Sequence, residues 1–159
     1  MNTDSPKKIY SSLLKIYGVI FIAIIVFIVS VSLYVSQLGS IIEPKSSSAF
    51  FMQLAAIVVL IAILPLGYIK SQRMIKNISP TLSLAEKLVP YRKALSFRFF
   101  SILVAAFVVS ILFLFTGNTN LMLILAIILL FYIISKPNPF KTADDLNLPE
   151  KEKQRLMPE

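Results

Sequence analysis

One basic segment limits what this chain can fold into more than any other feature. Between its ends it carries Lys70, Arg73, Lys76, Lys87, Arg92, Lys93 and Arg98 against a single acid, Glu86. Two long apolar runs precede it and two follow. Cationic segments resist translocation, so the middle of the chain stays on the cytoplasmic side of a membrane. Each flanking pair of runs must then cross and return. The expected fold is an all-α membrane protein, a four-helix transmembrane bundle with an N-in/C-in topology.

Composition agrees. The chain is 57% hydrophobic and 15% charged, whereas soluble domains average about 45–50% apolar and about 25% charged residues. The first run, Ile16 to Leu38, carries no charge and exceeds the roughly 20 residues needed to cross. It also exceeds a signal-peptide core, and no A-x-A cleavage pattern follows it, which predicts an uncleaved first span. The boundaries are a cytoplasmic N-terminus over 1–15, a four-span domain over 16–135 and a cytoplasmic tail over 136–159. Spans are expected at about 16–38, 49–69, 94–115 and 119–135, with 70–93 as the basic loop. The fourth apolar run, Leu121 to Ser135, reaches only about 22 Å at helical rise, against a hydrocarbon core of about 30 Å. Either the turn before it joins the span or the bilayer thins there.

Local signals place the helix ends. Ser48 is a candidate N-cap for span two, and Thr119 or Asn120 for span four. Pro65 lacks an N–H and predicts a kink late in span two. Ser83-Leu84-Ala85-Glu86 fits a capping box. Leu84, Leu88, Tyr91 and Leu95 then share a helical face with Lys87 on another, which predicts a short interfacial helix bent or restarted at Pro90. Arg98 lies near enough to the inner end of span three to snorkel. In the tail, Thr142 with Asp145, and Asn147 with Pro149-Glu150, read as starts of two short helices.

Charge sets the orientation. Of the 16 Lys and Arg residues, all but Lys45 fall on the side shared by the N-terminus, the basic loop and the tail. The excess lies beside membrane rather than on a soluble lobe, which argues against nucleic acid as a partner. Membrane lipid with anionic headgroups is the expected partner of Lys70, Arg73, Lys76, Lys87, Arg92, Lys93 and Arg98, at about 1 kcal/mol per base near the surface. Docking of an acidic cytoplasmic partner, or of acidic lipid headgroups in a defined pocket, is the alternative.

Several residue types are missing. The sequence has no Cys, His or Trp. That removes disulfides, thiolate and imidazole metal ligands, and the commonest acid–base group near neutral pH. No ionisable side chain lies deep in any span, so a proton relay or intramembrane ion site has no residues to build it. No cofactor, metal or catalytic residue is expected. Ser30, Tyr34, Gln37 and Gln53 form a possible polar intramembrane face, or else serve interhelical hydrogen bonds and interface placement. Small residues four apart (Ser32 with Ser36, Ser101 with Ala105, Ala106 with Ser110) permit close helix approach, whereas span four is nearly all Leu and Ile and is expected to face lipid or a partner. The segments Leu14 to Ile20 and Phe97 to Leu103 share an apolar, basic, apolar, aromatic, small, aliphatic, aliphatic pattern, consistent with two tandem helical hairpins.

Ser83-Leu84-Ala85-Glu86-Lys87-Leu88, Tyr91-Arg92, Arg98, Thr116-Gly117-Asn118 and the tail run Lys136-Pro137, Lys141, Asp144-Asp145-Leu146-Asn147-Leu148 carry a resemblance. Together they resemble small uncharacterised four-span bacterial inner-membrane proteins. That implies the bacterial cytoplasmic (inner) membrane and the same topology. The type has an acidic residue early in span three, where this chain has Ile102, Leu103 and Val104, so no activity carries over. The paired-hairpin layout is also similar to rotary-ATPase proteolipids, without their ion-binding carboxylate. The expected function is a non-catalytic accessory or scaffold subunit, in a larger membrane complex or a homo-oligomer. The alternative is a small oligomeric channel, holin-like pore or transporter.

Overall fold

The computed structural model describes residues 5–43, 46–149 and 152–153, and these are helical without strands. Helix α1 is Pro6–Leu38, α2 is Ser47–Lys76, α3 is Leu84–Thr116, α4 is Thr119–Ile134 and α5 is Pro139–Asp145. Lys45, the one base expected on the outer side, and Glu150 of the expected second tail helix lie outside the described residues. Helices α1, α2 and α3 are each long and apolar enough to cross a membrane. Helix α4 has 16 residues, about 24 Å of rise, and joins α5 through a 78° bend.

α3 is the central helix. It packs against α1, α2 and α4, and α2 also touches α4. In its most apolar stretch 44% of residues are buried, against 17% in α2 and 11% in α1. Phe99, Ile102, Ala105, Ala106 and Val109 form the buried line. The expected use of its small residues is therefore intramolecular for Ala105, Ala106 and Ser110, all buried. Ser36 is instead exposed, its hydroxyl donating to the Leu33 carbonyl at 2.8 Å. α2 approaches α3 closely at Gly67, where a Cβ would stand 2.5 Å from the Ser101 Cβ.

The expected helix starts need correction in three places. Ser46, not Ser48, caps α2 and accepts from the Ala49 N–H at 3.2 Å. Asn118 caps α4 and accepts from the Asn120 N–H at 3.0 Å, after Gly117 has turned the chain at φ 58°. Asn118 has the short acceptor side chain that caps require, one residue before the expected candidates. Asn138 caps α5, with Pro139 at its first position, so Thr142 lies inside a helix rather than at its start. The N–H groups of Glu152 and Lys153, both helical, donate to the Pro149 carbonyl at 2.9 and 3.1 Å.

The capping box forms as expected. The Glu86 carboxylate accepts from the Ser83 N–H at 3.0 Å and from the Ser83 hydroxyl at 2.7 Å. Pro90 does not restart the helix. α3 runs unbroken from Leu84, so the expected interfacial helix is the first two turns of the long one. Pro90 forgoes one N–H bond to the carbonyl of Glu86, an exposed residue. Helix α2 likewise continues through Pro65.

α4 is not wholly lipid-facing. Leu121, Ile124, Leu125, Ile128 and Tyr132 are buried on the bundle, and Leu123, Ile127, Leu130 and Ile134 point outward. An all-aliphatic helix hides this division from sequence, because both faces are equally apolar.

Candidate functional site

The end of the bundle that carries α5 gathers most of the chemistry. The expected cationic collar divides there into two groups. Lys70, Arg73, Lys76 and Lys93 are exposed, with the Lys70 ammonium 4.6 Å from the centre of the Phe97 ring. Arg92 is half-buried and its Nη1 donates to the Ser12 hydroxyl at 3.4 Å, linking α3 to α1. Lys87 and Arg98 are buried. Lys87 therefore does not sit on an outward face. It lines a small pocket of about 260 Å³ with Lys76, Asp145 and Asn147.

Arg98 also departs from the snorkelling expectation. Its side chain is 2% exposed, and its guanidinium carbon stands 4.5 Å above the Tyr68 ring. Nε and Nη2 are buried with no hydrogen-bond partner. Snorkelling would carry the guanidinium out to water, and it lies instead inside the bundle against the Tyr68 ring. Arg98 opens instead into a groove of about 570 Å³ between α2 and α4. Leu60, Leu64, Ile127 and Phe131 make its apolar walls, and Lys141 of α5 stands at its edge. A second recess of about 540 Å³ adjoins it, sharing Ile134 and Lys141 and adding Lys136.

The tail holds this end closed. Thr142, Ala143, Leu146 and Leu148 are buried in the same core as Ile9, Tyr10, Leu13, Leu84 and Leu88. The Tyr91 hydroxyl donates to the Asp145 carboxylate at 3.0 Å. Deeper in the bundle, the Tyr132 hydroxyl donates to the Tyr17 carbonyl at 2.7 Å. The two rings stack with centres 4.7 Å apart, and Phe99 meets Tyr17 edge-on at 5.4 Å. Such pairs add about 0.5–1.5 kcal/mol beyond their burial. This aromatic knot joins α1, α3 and α4. Its sequence signal was an aromatic residue near the inner end of three spans, which also fits ordinary interface placement.

The four polar residues of the proposed intramembrane face do not come together. Ser30, Tyr34 and Gln37 are exposed on the surface of α1. Gln53 instead accepts from the Asn118 and Asn120 side-chain amides at 3.1 and 3.4 Å, tying α2 to the α3–α4 turn. The positions matched by the internal sequence pattern also sit in different surroundings. Lys15 is exposed where Arg98 is buried.

No protein-family model, curated protein sequence or solved structure matches the chain.

Proposed function

We propose that this multi-pass helical membrane protein is a non-catalytic scaffold or accessory subunit of the bacterial inner membrane, crossing four times with both termini in the cytoplasm. The observation that carries the reading is the contrast between α3 and its neighbours. Val19, Ile22, Val26, Val58, Ile61, Leu123 and Leu130 are all large, apolar and exposed on the outer faces of α1, α2 and α4. Such faces need lipid or other membrane helices. At one end the exposed Lys70, Arg73, Lys76 and Lys93 suit anionic headgroups. With α4 as the fourth span, its length of about 24 Å requires local thinning or shielding by neighbouring helices.

Mild-detergent purification from native membranes, with mass spectrometry of the co-purifying proteins, tests the function. A stoichiometric complex supports the scaffold reading. A clean homo-oligomer favours the alternative pore or carrier, in which Ser30, Tyr34 and Gln37 on the exposed side of α1 would line a shared interface. Topology is tested separately by single cysteines in this cysteine-free chain. Positions 47 and 119 are expected to label from outside, and positions 83 and 147 only after permeabilisation. All four are exposed, so failure to label reports sidedness rather than burial, and the reverse pattern overturns the topology.

A further inference from the structure

We propose that the groove between α2 and α4 is a binding site for one anionic glycerophospholipid, its phosphate held by the Arg98 guanidinium and an acyl chain lying along Leu60, Leu64, Ile127 and Phe131. The inference rests on the membrane placement above. It goes beyond diffuse attraction of a basic loop to lipid, because the residue at its centre is not on the surface.

The unpartnered atoms identify the ligand chemistry. Nε and Nη2 of an arginine project their N–H bonds in parallel from one edge of the guanidinium. That edge matches two oxygens of a phosphate or carboxylate in a bidentate pair. In Arg98 both atoms are buried and without a partner, with Tyr68 covering the ring face of the group. A cation at the membrane boundary with its best donors unused is costly, and such residues normally face a partner or a cavity. Here a cavity adjoins it: Arg98 is among the residues that line the groove. A small turn of its side chain would bring the sealed Nε–Nη2 edge to a phosphate there, with the Asp145 carboxylate as the opposing charge nearby.

The rest of the groove selects a lipid over a free anion. Apart from Arg98, Lys141 and Ser135 its lining is apolar or aromatic, and its volume of about 570 Å³ falls within the roughly 300–1,000 Å³ of small-molecule sites. Hydrocarbon fills such walls, whereas inorganic phosphate would leave them empty. The groove also runs into the recess beside Lys136 and Lys141 at the α4–α5 turn. Both lysines are exposed there, where a headgroup would meet water. Ile127 and Ile134 on the α4 wall are themselves exposed, so a chain can enter sideways from the bilayer.

The test uses the full chain in a neutral detergent, titrated with phosphatidylglycerol, with phosphatidylcholine of the same chains, and with inorganic phosphate, and read by native mass spectrometry. A saturable one-to-one phosphatidylglycerol adduct is expected, at least tenfold tighter than phosphatidylcholine and not displaced by millimolar phosphate. Arg98→Gln is expected to weaken it at least tenfold and Lys141→Gln severalfold. The surface triple variant Arg73→Gln, Lys76→Gln, Lys93→Gln is expected to leave it unchanged. Ile127→Trp places bulk in the groove and leaves residue 98 an arginine, and is expected to abolish the adduct while the helical circular dichroism is retained. It decides the question if Arg98→Gln fails to fold. Equal binding of phosphatidylcholine, displacement by phosphate, loss in the triple variant, or an unchanged adduct in Ile127→Trp each overturns the site. Loss of the site while a stoichiometric protein complex is still recovered leaves the scaffold function standing, so the two can fail separately.

Discussion

Gly67 is the position where one added carbon should change the α2–α3 packing most. A Cβ there would lie 2.5 Å from the Ser101 Cβ and 2.7 Å from its hydroxyl oxygen. Neither atom can swing away cheaply. The Cβ is fixed to the α3 backbone, and the hydroxyl donates to the Phe97 carbonyl at 3.0 Å. Ordinary contact begins near 3.4 Å, so Gly67→Ala must push the helices apart by about 0.9 Å, the difference of the two distances. Overpacking of this kind costs about 1–3 kcal/mol. Replacing a helical glycine by alanine gains back roughly 1 kcal/mol. The expected net effect is a loss of up to about 2 kcal/mol. Ser101→Gly removes the obstructing Cβ, so in that background Gly67→Ala should become neutral or stabilising. The two substitutions should therefore couple by about 1–3 kcal/mol, the range for residues in direct contact. Thermal unfolding in detergent, followed by circular dichroism, measures all four corners of the cycle. If Gly67→Ala stabilises the chain as much alone as beside Ser101→Gly, the close approach does not exist.

Two further contacts give simpler expectations. Tyr91→Phe keeps the buried ring but removes the bond to Asp145, worth about 1.5 kcal/mol as a bond to a charged acceptor. Trypsin cleavage after exposed Lys141 should then quicken by roughly tenfold, since about 1.4 kcal/mol corresponds to a factor of ten. An unchanged rate would mean that the apolar residues of the tail alone hold it down. Gln53→Leu leaves the Asn118 and Asn120 amides without their shared acceptor and should cost about 1 kcal/mol. Amide hydrogen exchange should quicken at the α3–α4 turn but not at α5, and equal protection at both ends would refute the assigned bond.

The long helices could be read from the chain because their signals are strong and local. Uncharged runs such as Ile16 to Leu38 leave few alternatives, and the Ser83–Glu86 pair marks a helix start through four consecutive residues. The caps of α2 and α4 moved by one or two residues and that of α5 by four; at α2 the candidates Ser46, Ser47 and Ser48 are chemically equivalent in sequence. Only the direction of the incoming chain selects Ser46. The role of α3 as the hub was not readable at all. In a soluble helix the buried face is the apolar one, but in a membrane the lipid-facing side is equally apolar, and hydropathy no longer reports burial.

The candidate site was hidden for a related reason. Seven bases spread between Lys70 and Arg98 look alike as charge, and only packing divides exposed Lys93 from buried Arg98. The division depends on partners far away in sequence: Tyr68 on α2 beneath the guanidinium, and the α4–α5 turn beyond it. A surface lysine loses little by keeping its water and exchanging counterions, so it tolerates any acidic headgroup. Arg98 has already lost most of its water to the protein, and a phosphate would meet donors that need little further desolvation. The same burial that makes an unpaired guanidinium costly makes a paired one selective. Position along the bundle, rather than the number of positive charges, is then what separates a lipid bound at one place from lipid attracted everywhere.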